Sequence, residues 1–319
     1  MAFDFKKYKL AFLGTPDFAV PALEGLVKAG YDIAAVYTNP DKSRGRSSEL
    51  LPSPVKEAAL RLGISPNNIR QPEKFSGNLK EEKKYLESLD LDIAIVVAYG
   101  NILPAEILDV PRLGFLNVHA SLLPRWRGAA PIQAAITAGD TETGVTLMQI
   151  EPSLDTGPIF AQSIVKLNGT ETSPELFKTL SQLGSNLLNT KLPNILEGEL
   201  KAVPQPEDGA TVAKQIKKRE SIVDWQENAE TIERKFRAYQ PWPGMHTFYN
   251  NKRLVIEGMH VHPGGTLQSG EVAAEENNTL AVGTADGRIA ISQLKLEGKS
   301  SMSAGEFLCG HPEIIGSIL

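Results

Sequence analysis

A run of six apolar residues, IAIVVA at residues 93–98, restricts the fold of this chain more than any other feature. A strand of this composition is buried on both faces, as in the middle of a parallel sheet. Further apolar strands are predicted at residues 10–13 and 33–37. Between them, Thr-Pro-Asp at residues 15–17 supplies an N-cap, a proline at N1 and an acid for a helix that ends at about Gly30. Strand, helix and strand in this order predict a mostly parallel α/β sheet.

The rest of the first two hundred residues continues this alternation. Strands are predicted at residues 68–71, 115–119, 142–150 and 159–167, and helices at residues 54–62, 78–89 and 132–138, with a long helix from residue 173. In the long helix, leucines at 176, 180, 183, 187 and 188 form one stripe, which is typical of packing.

The pattern of predicted helices and strands changes after a segment rich in proline and charged residues, PQPEDG at residues 204–209. One helix is predicted at residues 229–239, and short strands separated by glycines and polar turns follow it, which favours a small β-barrel. Because 319 residues are long for one core, two domains are expected. We predict an α/β domain over residues 1–204, a linker over 205–210 and a smaller β domain over 211–319.

Composition excludes several classes of function. The net charge of −5 and the pI of about 5.7 argue against nucleic-acid binding through overall charge, although a local basic patch remains possible. Cys309 is the single cysteine, so the chain has neither a disulfide framework nor a thiolate metal cluster, and we expect a small buried residue there. His260 and His262 alternate on a predicted strand without a third ligand, so no metal site is expected.

The amino-terminal residues bear on where the protein is located and on its cofactor. Residues 1–9 are charged, and the apolar run that ends at Gly14 is too short for a secretory signal. No apolar stretch reaches the length of a membrane span, so a cytoplasmic protein is expected. The spacing GxGxxG is absent after Gly14, which disfavours a nicotinamide cofactor.

Polar side chains gather where the predicted strands end. Asn117 and His119 lie two positions apart on one strand and therefore point to the same face, whereas Val118 points to the other. Asp155 follows the strand at residues 142–150, in the loop SLDTGP. A pocket for polar chemistry is expected at this edge of the sheet. Taken alone, a histidine on an apolar strand is more often a core residue and an aspartate before Thr-Gly more often a turn former, so the residues leave both interpretations open.

The motifs NVHASLLP at residues 117–124 and LDTG at 154–157 resemble the formyltransferases that use 10-formyltetrahydrofolate. The continuation RWRGAAP at residues 125–131 and the second domain narrow this resemblance to the branch that acts on tRNA. It extends over nearly the whole chain, with further matches in GTPDF, LPSPVK, AYG, DW and PWP.

The resemblance implies a Rossmann-like first domain, an OB-like second domain, and transfer of a formyl group from 10-formyltetrahydrofolate to the amino group of methionyl initiator tRNA, for translation initiation. It also implies roles for individual residues. The catalytic set is Asn117, His119 and Asp155; the folate site is Ser121, Leu122, Leu123, Pro124, Tyr99 and Gly100; and the tRNA contacts are Arg44, Arg46, Lys217, Lys218 and Arg219. Metal is not implied, and a monomer is expected.

The catalytic set suits this chemistry. When an amine attacks a formyl carbon, Asn117 can donate an N–H group to the developing oxyanion. His119 can exchange protons or donate to the same oxygen, and Asp155 can stabilise the imidazolium or relay the amine proton through water.

Two alternatives remain: a folate-dependent transferase for a small amine, such as a nucleotide sugar or glycinamide ribonucleotide, and a non-catalytic RNA-binding protein. The loop around Arg46 also departs from its relatives, because Ser47, Ser48 and Glu49 stand where lysines are common. Taken alone, this loop fits a mobile, solvated segment as well as one that contacts nucleic acid.

Overall fold

The computed structural model describes residues 3–43, 50–262, 264–265, 267–275 and 278–319. It divides into two compact units. The first comprises Met1–Pro131, Glu142–Lys166 and Phe177–Ala213, and the second comprises Ile132–Thr141, Leu167–Leu176 and Lys214–Leu319. The domain boundaries that we place at residues 204 and 211 stay a prediction.

Residues 3–43 and 50–213 form strands interspersed with helices. The strands are β1 (Lys9–Gly14), β2 (Asp32–Tyr37), β3 (Lys42–Ser43), β4 (Leu50–Leu51), β5 (Ile69–Arg70), β6 (Ile93–Val97), β7 (Phe115–His119), β8 (Arg127–Gly128), β9 (Glu142–Gln149), β10 (Ile159–Lys166) and β11 (Val212–Ala213). The helices are α1 (Val20–Ala29), α2 (Pro54–Arg61), α3 (Leu79–Ser88), α4 (Ala105–Leu108), α5 (Pro131–Ala138) and α6 (Ser173–Leu196).

Seven of these strands form one sheet in the order β10-β9-β7-β6-β1-β2-β5. Five neighbouring strands run parallel, namely β7, β6, β1, β2 and β5. The other two, β9 and β10, are antiparallel to their neighbours. β6 lies in the middle and all its residues are buried, as its apolar run predicts. The predicted fold class, a mostly parallel α/β sheet, is confirmed.

Two predicted helix starts have different outcomes. The Ser53 hydroxyl caps α2 by accepting a hydrogen bond from the Lys56 backbone N–H at 3.1 Å, as expected. Thr15 does not cap α1, which begins at Val20 after a 3₁₀ turn. Its hydroxyl instead donates to the Tyr99 carbonyl at 3.0 Å. The Thr15 hydroxyl is therefore used in a tertiary hydrogen bond and not in a local helix cap.

From Phe177 onward, helix α6 lies in the first unit and packs against β7 and the 3₁₀ turn that precedes α1. The Ser181 hydroxyl donates to the Phe18 carbonyl at 2.8 Å, and the Phe18 and Phe177 rings meet edge to face with centroids 5.1 Å apart. The helix comes close to the sheet at Gly184, where an added Cβ would lie 2.8 Å from Val118 Cγ1. The leucine stripe is buried except at Leu183, which is half-buried, so its packing role is confirmed.

The second unit is an antiparallel sheet with flanking helices. Its strands are β12 (Met245–Tyr249), β13 (Lys252–His262), β14 (Val272–Ala274), β15 (Leu280–Gly283), β16 (Arg288–Leu296) and β17 (Met302–Ser303), and its helices include α7 (Ala229–Ala238) and α8 (Ala304–Gly310). The order is β12-β13-β16-β15-β14, with β17 beside β16. Buried Trp225 donates its indole N–H to the Thr247 hydroxyl at 3.4 Å, which anchors the Asp-Trp motif to β12.

Two residues singled out in the sequence have defined surroundings in this unit. Cys309 is exposed, so the expectation of a buried cysteine is wrong. Phe307 occupies the buried face of α8, and a residue two positions further along a helix points away from that face. His262 accepts a hydrogen bond from Arg288 Nε at 3.1 Å and lies 3.5 Å from Glu275.

Within the described ranges, no helix is both long and apolar enough to cross a bilayer.

An ion pair between half-buried Arg70 and buried Glu82 joins β2, β5 and α3. The Glu82 side chain is 3% exposed, and its carboxylate accepts hydrogen bonds from Arg70 Nη2 at 2.8 Å, Arg70 Nε at 3.2 Å and the Tyr37 hydroxyl at 2.9 Å. Burial, and then the adjacent Glu82, raise the pKa of Tyr37. The carboxylate thus depends on Arg70 for its countercharge.

Replacing Arg70 with methionine should therefore lower the free energy of unfolding by about 3–5 kcal/mol, because it leaves the Glu82 charge buried and uncompensated. Urea denaturation followed by circular dichroism measures this loss. Arg61→Met is the matched control: it removes an exposed pair with Glu24 and should cost less than about 1 kcal/mol. Equal small losses in the two variants would contradict a buried, charged Glu82.

Gly184→Ala should destabilise the first unit, since the new methyl group would collide with the branched Val118 side chain. Overpacking of this kind costs about 1–3 kcal/mol, and the higher helix propensity of alanine returns at most about 1 kcal/mol. The control is Gly77→Ala, where no atom lies within 4 Å of the added Cβ. Denaturation midpoints in urea compare the two variants, and an unchanged midpoint for Gly184→Ala would rule out the close packing described here.

Candidate active site

Strand β7 presents two polar side chains to one face of the sheet. Its neighbours fix the register, because Asn117 pairs with Val96 on one side and Met148 on the other. Val118 is 4% exposed and turns to the opposite face. Asn117 is half-buried and His119 is buried, and both lie on the face of the sheet opposite Val118.

Asp155 lies in the loop between β9 and β10 and points its carboxylate at this strand. Oδ1 accepts from Asn117 Nδ2 at 3.4 Å, and Oδ2 lies 3.7 Å from His119 Nδ1. Oδ2 also accepts from the Gly128 backbone N–H at 2.8 Å. The structure therefore brings together the three residues predicted as catalytic.

The His119 ring is oriented by the loop that follows it. Its Nε2 atom lies 2.9 Å from the Trp126 carbonyl oxygen. A carbonyl only accepts hydrogen bonds, so Nε2 carries the hydrogen and Nδ1 is the nitrogen that faces Asp155. In the imidazolium form, the Nδ1–H group would point at the carboxylate.

The predicted folate segment is held tightly against β9. The Ser121 hydroxyl donates to the Arg125 carbonyl at 2.6 Å, while the Ser121 carbonyl accepts from the Thr146 hydroxyl at 2.7 Å. The Leu123 N–H donates to the same Thr146 oxygen at 3.1 Å. Ser121 and Leu123 are both buried, so their side chains secure the segment.

Other predicted folate residues differ in exposure. Leu122 and Pro124 are half-buried, and Gly100 is exposed with a φ of +82°. The Tyr99 side chain is 2% exposed within the core of the sheet, and burial raises its pKa to about 12. Its backbone carbonyl accepts from Thr15 at the strand ends.

The predicted tRNA contacts lie in two places. Arg44 and Arg46 fall outside the described residues; the strands on either side of them, β3 and β4, pair antiparallel and are exposed. In the second unit, Lys217, Lys218 and Arg219 are exposed at a 3₁₀ turn.

Sequence reasoning missed the part played by residues 203–213. Gln205 donates to the Asp155 and Gly157 carbonyls at 2.9 and 2.7 Å and accepts from Arg127 Nε at 3.1 Å. Arg127 is 8% exposed, and its Nη2 atom lacks a hydrogen-bond partner within the described part of the chain. A glutamine between prolines carries no periodic signal, and the segment has the composition of a linker.

Comparison with known proteins identifies the family of the chain. Residues 8–192 match the formyl transferase family model, and residues 215–312 match the model of the formyl transferase C-terminal domain. Among solved structures, an N-formyltransferase from Helicobacter canadensis, in complex with folinic acid and dTDP-3-aminofucose, superposes with a TM-score of 0.66 at 20% identity, over 89% of this chain and 98% of that chain. HypX from Aquifex aeolicus, in complex with tetrahydrofolic acid, gives a TM-score of 0.63 at 17% identity, over 94% of this chain and 46% of that chain. At these identities the likeness shows the fold.

Curated relatives share much more of the sequence. The methionyl-tRNA formyltransferase of Halorhodospira halophila is 43% identical over 309 residues, which cover 97% of this chain and 98% of the relative. That of Neisseria meningitidis serogroup C is 41% identical over 312 residues, covering 98% and 100%. Because identity at this level spans both family domains and the full length of the relatives, the chain belongs to the methionyl-tRNA formyltransferase family.

Proposed function

We propose that the protein transfers the formyl group of 10-formyltetrahydrofolate to the amino group of methionyl initiator tRNA, for translation initiation. The observation that carries this proposal is the convergence of an amide, an imidazole and a carboxylate at the end of β7: Asp155 lies 3.4 Å from Asn117 Nδ2 and 3.7 Å from His119 Nδ1. Full-length relatives named for this activity support it.

In this proposal, 10-formyltetrahydrofolate supplies a formyl group whose oxygen gains negative charge as the amine attacks. The Asn117 amide nitrogen has two hydrogens, so one can point at Asp155 while the other donates to that oxygen. Such a donor lowers the barrier because it is already oriented before charge develops. The bond to Asp155 holds the amide plane in place.

The attacking amine must also lose a proton. Since the Trp126 carbonyl holds Nε2–H of His119, Nδ1 is the ring atom left to accept the amine proton, from a substrate bound on the side where Asp155 lies. The Asp155 carboxylate at 3.7 Å stabilises the imidazolium that results. The same Nδ1–H group then returns the proton to the departing folate nitrogen.

The residues fit the proposed co-substrate and tRNA. The fused heteroaromatic ring of the folate needs apolar contacts and nearby backbone polar groups, and half-buried Leu122 and Pro124 with exposed Gly100 supply both.

For tRNA, we propose contacts from Arg46 and Arg44, in the segment between β3 and β4. The exposed cations of the second unit, Lys217, Lys218 and Arg219, offer further contacts with phosphate.

Incubation with 10-formyltetrahydrofolate labelled in the formyl group tests the activity directly. We expect label to enter methionyl initiator tRNA and to be released as formylmethionine by mild alkali. Uncharged tRNA lacks the amine and serves as the control. Glycinamide ribonucleotide tests the small-amine alternative, and label on that compound with none on the tRNA would overturn the proposal.

Asn117→Ala should lower kcat by roughly 10²–10³-fold, because it removes the donor to the oxyanion. The dissociation constant for methionyl-tRNA, measured by filter binding, should stay nearly unchanged. The matched control is Asn186→Ala, on the exposed side of α6, which should affect neither quantity. Parallel losses of turnover and tRNA affinity in Asn117→Ala would instead indicate a structural role.

A further inference from the structure

The segment at residues 203–213 is attached to both sides of the candidate active site. At its start, Val203 exchanges two backbone hydrogen bonds with Ile159, each 2.8 Å long. At its end, β11 pairs in parallel with β8, where Val212 lies opposite Arg127. The Thr211 hydroxyl also accepts from the Trp126 N–H at 2.9 Å. Gln205 therefore lies between two attachments of the segment, one to Ile159 and one to β8.

The Gln205 amide joins the loop of Asp155 to β8. Its Nε2 atom donates to the Asp155 carbonyl at 2.9 Å and to the Gly157 carbonyl at 2.7 Å. Its Oε1 atom accepts from Arg127 Nε at 3.1 Å. Backbone carbonyls only accept and a guanidinium only donates, so the chemistry of the three partners fixes which way the amide faces.

Asp155 needs such support because its backbone is in the left-handed region, with φ at +50°. Aspartate enters this region more readily than most residues, but at a cost relative to extended or helical backbone, so bonds to neighbouring groups help to hold it there. The carboxylate position depends on that backbone, since Oδ2 must reach the Gly128 N–H at 2.8 Å. Gly128 follows Arg127 in β8, so Gln205 and Asp155 connect the same two elements in parallel.

We propose that Gln205 is a positioning residue: it holds the backbone of residues 155–157 so that the Asp155 carboxylate faces Asn117 and His119. The kinetic consequence rests on the proposed function. The structural consequence does not, because the hydrogen bond from Gly128 N–H to Asp155 can be followed without any substrate.

Gln205→Glu is the informative variant. Glutamate has nearly the same shape and still accepts from Arg127, but it cannot donate and brings a negative oxygen to the Asp155 and Gly157 carbonyls. Hydrogen exchange at the Gly128 amide, measured by NMR, should accelerate about tenfold, and kcat should fall by about tenfold while the KM for methionyl-tRNA stays within about twofold. Gln205→Met removes the two donors and also the acceptor of Arg127 Nε, without adding a negative oxygen, and should give a change of the same kind.

Two controls separate this effect from a change of charge or of stability. Gln182→Glu makes the same substitution on the exposed side of α6 and should alter neither exchange nor kcat. Glu207→Gln removes the 3.7 Å contact of an 86% exposed carboxylate with Arg127 and should leave the Gly128 amide protected. Thermal unfolding of each variant shows whether the fold is kept.

The outcomes are distinct. Faster exchange at Gly128 with a lower kcat and an unchanged KM supports the proposal. Unchanged exchange in both Gln205 variants overturns it, as does a higher KM for tRNA with an unchanged kcat, which would make Gln205 a binding residue. If the wild-type protein fails to formylate methionyl-tRNA, the proposed function is wrong, and exchange at Gly128 still decides the positioning role.

Discussion

The packing of Val118 against α6 is the constraint on which the candidate active site depends. Side chains alternate along a strand, so the burial of Val118 sends Asn117 and His119 to the other face. A slip of one residue would exchange the two faces and place an amide and an imidazole in the core. Gly184 permits this packing, because any larger residue would meet Val118 Cγ1. A helix glycine on the opposite side of the sheet from Asn117 and His119 thus helps to set the face on which these two side chains lie.

Much of the first unit could be predicted from short-range signals. The apolar run at residues 93–98 identifies the central strand, and the alternation at residues 115–119 gives β7 with its observed bounds. Both features depend on composition and period along the chain. The prediction that Thr15 caps α1 was wrong because the Thr15 hydroxyl has a distant partner: it bonds to a carbonyl 84 positions away. A local pattern cannot show that a distant group will compete for the same atom.

The candidate site was predictable in part. Asn117, His119 and Asp155 come together as their motifs indicated, and the parallel register of β6 and β7 explains why Asn117 sits where strands end. Tyr99 was assigned to the folate site from its motif, but its ring belongs to the core, which leaves its backbone at the strand end. Gln205 gave no signal at all, because its partners lie 48, 50 and 78 positions away.

The bond between His119 Nε2 and the Trp126 carbonyl has a consequence for the direction of proton movement. A histidine that relays protons takes one at one ring nitrogen and gives one up at the other. In the proposed reaction, Nε2–H stays on the backbone carbonyl, so a proton that the ring takes up at Nδ1 must also leave from Nδ1. In the proposed reaction, the amine and the departing folate nitrogen therefore share one side of the imidazole.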